Sequence, residues 1–238
     1  MEKIIELGLR RELFVDDFLI EKTTDIEQKL VRPIPAEIAI IADAPWEDWT
    51  FGTLGIIQEE DKIRLYYRAA IPDLSNEDNA LFGIAESYDG GRSFHRPELG
   101  LIEYNGSKKN NLVWIGGKPS IPSPFIDENT ACPPSERYKG FCASWEKLYG
   151  MVSADGIRWK TVEPAPLKMK GAFDTINTCF WDKSIKKYRA YTRFYHYNFP
   201  VGTLSKGYDD QHRKHGGAYA RAIQMALSDD FINWTEPV

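Results

Sequence analysis

The sequence lacks the features that mark several large classes of protein. No apolar run approaches the roughly 18 residues of a membrane-spanning helix, and no low-complexity tract occurs. Lysine and arginine number 30 against 35 aspartates and glutamates, for a net charge of −5, and the basic residues are scattered along the chain. The clustered basic surface of a nucleic-acid-binding protein is therefore absent, and an acidic surface disfavours anionic membranes. We expect neither nucleic acid nor a membrane as a partner.

Cysteine and histidine are also scarce. The three cysteines are an odd number, which disfavours a disulfide framework, although a bridge between Cys132 and Cys142 stays open. No cysteine and histidine spacing matches a zinc site. Phosphate-binding loops, dinucleotide fingerprints and the G-x-S-x-G elbow are missing as well. The sequence predicts no metal and no cofactor.

The first residues of the sequence do not follow the pattern of a secretory leader. Residues 1–11 alternate charged and aliphatic side chains where a secretory signal needs an apolar stretch. The chain as written predicts a cytoplasmic location, or a periplasmic or secreted one if a signal was trimmed.

A short motif occurs three times, about 70 residues apart, after an apolar run each time. This spacing is too long for helical-pair repeats and suits a four-stranded propeller blade with long loops. The Asp and Ser side chains of the motif are expected to bond the backbone of their own turn. The copies are Ser87-Tyr-Asp89-Gly-Gly-Arg-Ser-Phe94, Ser153-Ala-Asp155-Gly-Ile-Arg-Trp159 and Ser228-Asp-Asp230-Phe-Ile-Asn-Trp234.

Short apolar runs and period-2 alternation, bounded by Gly, Pro, Asn and Asp, predict an all-β chain. They form three groups of three strands, each ending in the repeated motif, and we interpret each group as a β-propeller blade within one domain spanning 1–238. The predicted strands are 51–58, 63–69 and 81–87, then 123–126, 138–143 and 148–153, then 174–181, 187–194 and 218–228.

A further strand, 13–20, is predicted without a partner, as expected for an N-terminal strand that closes a propeller. Three blades do not close a ring, since propellers have about four to eight. We expect missing C-terminal blades, or self-association through strand edges and apolar faces left open.

Carboxylates near the first strand of each group are candidates for chemistry, because first strands line the axis of a propeller. They are Asp48, Asp127 and Asp174, to which the run 13–20 adds Asp16 and Asp17. A pair of carboxylates on one pocket suits glycosidic-bond cleavage, in which one group protonates the leaving oxygen and the other activates water or attacks the sugar. Aspartate at a strand end also serves as a simple turn cap.

Glu86 follows three small or apolar residues inside a predicted strand, where an unpaired carboxylate is costly. Arg68 on the adjacent strand is the expected partner, in a structural pair or in a site. Aromatic and cationic side chains suit sugar recognition, because sugar rings present apolar faces and many hydroxyls. The predicted substrate-binding residues are Arg68, Arg193, Trp49, Tyr67 and His196.

Several segments together resemble a bacterial group of glycoside-hydrolase-like proteins related to glycoside hydrolase families 32 and 43. They are 13–20, Tyr66-Tyr67-Arg68, 85–90, 97–111, 149–159 and Gly171-Ala-Phe-Asp174. The resemblance implies a five-bladed propeller with acidic residues from successive blades in its channel, and cleavage of fructosides, arabinosides or xylosides.

The leading hypothesis is a glycoside hydrolase acting on an oligo- or polysaccharide, with acid and base drawn from Asp17, Asp127, Asp174 and Glu86. One alternative is a non-catalytic propeller that binds glycans or other partners, since propellers host many functions. Another is a sugar phosphorylase, which needs cationic side chains beside the acids to bind phosphate.

Overall fold

The computed structural model describes residues 5–8, 12–13, 15–75, 79–117, 122–143, 147–173, 176–197 and 219–238, without the side chains of 195–197 and 219–220. The chain divides into two compact units, Met1–Glu37 and Ile38–Val238.

The described part of the first unit contains no strand, so the predicted strand over 13–20 is wrong. The Asp16 carboxylate accepts a hydrogen bond from Phe18 N at 3.0 Å, and Asp17 O accepts one from Ile20 N, also at 3.0 Å. Aspartate readily forms such local turns. The two adjacent acids therefore bend this segment, and Leu13, Val15 and Phe18 are exposed.

The second unit is all-β, as predicted. Within the described residues it has no α-helix, and no helix is long and apolar enough to cross a membrane. Its strands form three antiparallel sheets. Sheet 1 contains β1 (Gly52–Gln58), β2 (Ile63–Ala70), β3 (Leu81–Ser87) and β4 (Leu112–Ile115); sheet 2 contains β5 (Ser123–Ile126), β6 (Tyr138–Ala143), β7 (Leu148–Ser153) and β8 (Lys160–Thr161); sheet 3 contains β9 (Thr178–Asp182), β10 (Lys187–Tyr197) and β11 (Tyr219–Ser228).

The predicted strands of sheets 1 and 2 agree with the structure to within one residue at each end. The outer strands β4 and β8 were not predicted, because runs of four and two residues carry no measurable alternation. In sheet 3, β9 begins four residues later than predicted, and β10 continues to Tyr197.

The sheets pack face to face in chain order, with their first strands adjacent: β1 lies beside β5, and β5 beside β9. The approach of β1 to β5 requires a glycine, since a Cβ on Gly55 would lie 2.8 Å from Pro124 Cδ. One apolar cluster joins Tyr66 of sheet 1 to Met151 of sheet 2. A second joins Phe141 of sheet 2 to Tyr188 of sheet 3. Stacked sheets around adjacent first strands agree with the blade interpretation, while a five-bladed ring stays a prediction.

The three copies of the Ser-x-Asp motif share one hydrogen-bonded contact, in a first turn that is one residue longer than the other two, since Gly91 N donates to Ser87 Oγ where Gly156 N donates to Ser153 Oγ. In each, the serine Oγ donates to the aspartate Oδ1 two residues on, at 2.7, 3.0 and 3.0 Å, and backbone N–H groups further along donate to that aspartate. Burial opposes ionisation of Asp155 and Asp230, yet these N–H donors lower the pKa of both carboxyls to about 2. The predicted role of Ser and Asp in this turn is confirmed.

Candidate functional site

The antiparallel register separates two ends of the sheets. At the turn end, β1 finishes, β2 begins and β3 enters its Ser-x-Asp turn, since Gln58 pairs with Ile63 and Ile63 with Ser87. At the loop end, β1 begins and β2 finishes, since Gly52 pairs with Arg68. Sheets 2 and 3 have the same arrangement. The predicted site residues divide between these two ends.

At the turn end, each sheet has an acid where its first strand finishes and a cation near the start of its second strand, and the two form an ion pair. The separations are 3.0 Å for Glu59 and Arg64, 3.4 Å for Asp127 and Lys139, and 2.8 Å for Asp182 and Arg189. The three cations are equivalent, because each follows the residue that pairs with the serine of its sheet's turn. Asp127 is therefore one member of a threefold repeated contact.

Asp127 is buried and fully engaged. Its Oδ2 accepts a hydrogen bond from Tyr188 Oη at 2.6 Å and faces Lys139 Nζ, while its Oδ1 accepts one from Asn129 N at 2.9 Å. Burial and the bond to Asp127 raise the pKa of Tyr188. Burial and the same carboxylate raise the pKa of the nearby Cys132 thiol to about 11. Asp127 thus links sheet 2 to sheet 3 through Tyr188.

Glu86 is also buried and paired, though not with Arg68 as predicted. Its Oε1 lies 2.8 Å from Lys62 Nζ and 3.4 Å from Arg64 Nε, and its Oε2 accepts a hydrogen bond from Tyr88 Oη at 3.1 Å. The register explains the difference, because Arg64 stands directly opposite Glu86 whereas Arg68 stands opposite Phe82. Burial opposes ionisation, but the bond to Lys62 outweighs it and lowers the pKa of Glu86. A lowered pKa disfavours a general-acid role.

At the loop end, the segment before β1 presents a carboxylate and an indole. Asp48 Oδ1 accepts hydrogen bonds from Thr50 N at 2.7 Å and Thr50 Oγ1 at 2.5 Å, and Thr50 Oγ1 accepts one from Ile71 N. Asp48 Oδ2 makes no hydrogen bond to any described residue. The neighbouring Trp49 is 82% exposed. The turn therefore fixes one oxygen of Asp48, and no described residue hydrogen-bonds to the other.

Arg68 lies beside this segment at the end of β2. Its Nε and Nη2 donate to Thr50 O at 3.0 and 2.9 Å. No carboxylate of the described residues lies within 4 Å of its guanidinium. The backbone thus holds Arg68 in place, and its charge is not neutralised by any of those carboxylates.

Tyr67, predicted to contact substrate, is fully buried in a polar network under sheet 1. Its Oη donates to Glu47 Oε1 at 2.7 Å and accepts a hydrogen bond from Asn111, while Arg96 binds both oxygens of Glu47 at 2.7 and 2.6 Å. These contacts hold the segment before β1 against the sheet, and they leave Tyr67 no surface for a ligand.

The remaining predicted residues lie apart or outside the description. Asp17 is exposed in the first unit. Asp174 lies outside the described residues, as does the side chain of His196, whose backbone pairs with Ala220. Arg193 is half-buried on β10 opposite Ile223, on the face of sheet 3 that points away from sheet 2.

Sequence reasoning missed Arg64 and Lys139, the cations that organise the turn end. Their signal was present, since an acid and a cation flank the first hairpin of all three groups, in Glu59 to Arg64, Asp127 to Lys139 and Asp182 to Arg189. The pattern was not recognised because the hairpin turns between acid and cation differ in length.

Two other features at the described positions do not form a site. A cavity of about 220 Å³ lies at the turn end beside Lys160, Glu163 and Asp230, below the roughly 300 Å³ at which ligand pockets begin. No group of three His, Cys, Asp or Glu in the described chain is arranged to hold a metal ion. The three cysteines are free thiols, two of them buried.

The fold defines a protein of stacked antiparallel sheets, and comparison with known proteins adds no family. No family model and no curated protein matches the chain. Among solved structures it is similar to an N-acetylgalactosamine deacetylase from F. plautii in complex with blood group B trisaccharide, at 12% identity and a TM-score of 0.47, over 82% of this chain and 55% of that one. It is also similar to the Penicillium chrysogenum α-L-arabinanase complexed with arabinobiose, at 14% identity and a TM-score of 0.37, over 84% and 51%. The chain spans about half the length of these proteins, and likenesses this weak carry no argument on function.

Proposed function

We propose that the protein is carbohydrate-active and binds sugar at the loop end, beside the segment that precedes β1. The observation that carries this proposal is the exposed indole of Trp49, flanked in sequence by a fixed carboxylate and close to the fixed cation Arg68. Tryptophan is enriched at binding interfaces because it combines a large apolar ring with a polar N–H group. Its flat face suits the apolar face of a sugar ring, while Asp48 and Arg68 suit the hydroxyl groups.

The finer proposal is hydrolysis of a glycosidic bond with Asp48 and Asp174 as the two carboxylates. Both residues lie four positions before a first strand, β1 and β9 respectively. Oδ2 of Asp48, which accepts no hydrogen bond from any described residue, suits a base or nucleophile, and Asp174 is assigned as its partner on sequence position alone. The ion pairs of Asp127 and Glu86 support structural roles for these two residues instead.

Binding is tested by titrating the purified chain with a panel of plant and algal oligosaccharides and following heat release or tryptophan fluorescence. We expect Trp49→Ala to weaken binding at least about tenfold, equivalent to roughly 1.4 kcal/mol. Trp49→Phe keeps an aromatic face and is expected to retain most of the affinity. Equal binding by wild type and Trp49→Ala would overturn the site.

Hydrolysis is tested with aryl glycosides of the same sugars. We expect Asp48→Asn and Asp174→Asn each to reduce turnover by about 100-fold or more without changing the melting temperature. Asp229→Asn, an exposed carboxylate paired with Lys187 at the turn end, is the control that keeps full turnover. If the chain binds sugar but hydrolyses none of the glycosides, it is a glycan-binding protein and the proposal of hydrolysis is overturned.

A further inference from the structure

Two opposite charges at the loop end bind the same residue instead of each other. Arg68 Nε and Nη2 donate to Thr50 O at 3.0 and 2.9 Å. Asp48 Oδ1 accepts hydrogen bonds from Thr50 N at 2.7 Å and Thr50 Oγ1 at 2.5 Å. The Arg68 guanidinium and the Asp48 carboxylate do not come within 4.0 Å of each other. Thr50 therefore holds an acid and a cation in place and keeps them from forming an ion pair.

The two hydrogen bonds of Arg68 use one edge of its guanidinium. Nε and Nη2 form the side edge, and both bind the single oxygen of Thr50. A carbonyl oxygen accepts these bonds but brings no net charge. The end edge consists of Nη1 and the second hydrogen of Nη2, and it makes no hydrogen bond to any described residue. Such an edge has the geometry that binds two oxygens of a carboxylate or a sulfate group.

Arg68 also has a defined position beside the proposed sugar site. Side chains two residues apart share one face of a strand, and Arg64 on the same strand donates to Asp155 O in sheet 2. Arg68 therefore lies on the face of sheet 1 that points towards sheet 2. It is bonded to Thr50, the residue that follows the exposed Trp49. A fixed cation thus adjoins the segment that carries the indole.

We infer that the sugar bound at the loop end is acidic, and that Arg68 binds its carboxylate or sulfate group. The inference rests on the proposed sugar site and specifies the class of sugar that it takes. Hydrogen bonds between ionised groups are roughly twice as strong as those between neutral groups, so an acidic sugar gains more from Arg68 than a neutral one. An acidic sugar carries its charge and its hydroxyls at separate positions, and its hydroxyls suit Asp48.

Matched pairs of oligosaccharides test this preference by titration calorimetry. Oligogalacturonate is compared with its methyl ester, and a sulfated galactan oligosaccharide with its desulfated form, so that each pair differs in charge. We expect the wild-type chain to bind the acidic member of at least one pair about tenfold or more tightly. The pair that shows the difference identifies the acid group as a carboxylate or a sulfate. Salt of about 0.5 M is expected to weaken binding of the acidic member alone.

Substitutions assign the preference to Arg68. Arg68→Gln is expected to bind the two members of the pair equally. Arg68→Lys keeps the charge but loses the two-pronged geometry, so it should retain part of the preference. Lys183→Gln, which removes a positive charge at the turn end, is the matched control and should retain all of it. Trp49→Ala is expected to weaken binding of both members.

The outcomes separate this inference from the sugar site on which it rests. If the wild-type chain binds both members of every pair equally, or if Arg68→Gln retains the preference, the inference is overturned and the sugar site stands. If the chain binds no sugar, or if Trp49→Ala binds as tightly as wild type, the sugar site is overturned and the inference with it. Far-UV circular dichroism confirms that each variant is folded, and the salt dependence of the wild-type chain tests the charge without any substitution.

Discussion

The two junctions between sheets use the same Ser-x-Asp turn but have different residues at its fourth position. Between sheets 1 and 2, Gly156 lets the main chain approach Tyr66 and Arg64 closely, and the turn adds a polar contact, from Arg64 Nη1 to Asp155 O, to the apolar cluster. Between sheets 2 and 3, Phe231 takes the same left-handed conformation, at a φ of +67°, and inserts a ring that is 1% exposed. A left-handed phenylalanine costs about 1–2 kcal/mol, which its packing offsets. The serine and aspartate define the turn. Its fourth residue, with the cation and aromatic residue that it contacts, defines each junction: Arg64 and Tyr66 at Gly156, Lys139 and Phe141 at Phe231.

The largest effect is expected at the apolar junction. Phe231→Ala should lower the free energy of unfolding by about 3–5 kcal/mol, because it empties a site packed against Phe141, Tyr188 and Trp234. Phe231→Gly removes one more carbon yet should be about 1 kcal/mol less damaging, because glycine adopts the left-handed conformation freely. Urea unfolding measures both values. A Phe231→Gly variant less stable than Phe231→Ala would show that the conformation carries no strain.

The junction of sheets 1 and 2 is expected to be nearly as sensitive to an added methyl group. Gly156→Ala should cost about 3 kcal/mol, since its Cβ would overlap Tyr66 Oη and Arg64 Nη1 in addition to the left-handed strain. Gly100→Ala has the same backbone strain with no neighbour and should cost only about 1 kcal/mol. Equal losses of stability in urea unfolding would contradict the close approach at Gly156.

Acid is expected to weaken the turns at both junctions. The pKa of Asp155 is about 2 in the folded chain, below the roughly 3.9 of an unfolded aspartate. Its contribution to stability is therefore complete above about pH 4 and is lost as the pH falls towards 2. We expect the urea midpoint to fall over this range, and to fall less in Asp155→Asn. If the urea midpoint falls equally with pH in both proteins, Asp155 does not cause the loss of stability in acid.

The smallest effect is expected for an exposed ion pair. Lys183 Nζ lies 2.7 Å from Glu128 Oε1 with both side chains more than half exposed. Such pairs contribute about 0–1 kcal/mol, so Lys183→Met should leave the urea midpoint almost unchanged. A large loss would mean that contacts beyond the buried turns hold sheets 2 and 3 together.

The strands of sheets 1 and 2 were predictable because apolar alternation and the Ser-x-Asp turns agree over the same residues. The segment 13–20 looked equally apolar, but its adjacent Asp16 and Asp17 favour a local turn. The apolar pattern alone does not show whether the strand or the turn forms. The site was harder to predict. Glu86 and Asp127 look like unpaired acids in sequence, and only the strand register brings Arg64 and Lys139 to them.

The carboxylates of the turn end are expected to hold the fold, whereas the proposed chemistry lies at the loop end. The most direct test compares Asp127→Asn with Asp48→Asn, measuring the free energy of unfolding and glycoside turnover per folded molecule. The account predicts that Asp127→Asn loses about 3 kcal/mol of stability and retains turnover, and that Asp48→Asn retains stability and loses turnover. The reverse result, a stable but inactive Asp127→Asn beside an active Asp48→Asn, would contradict it.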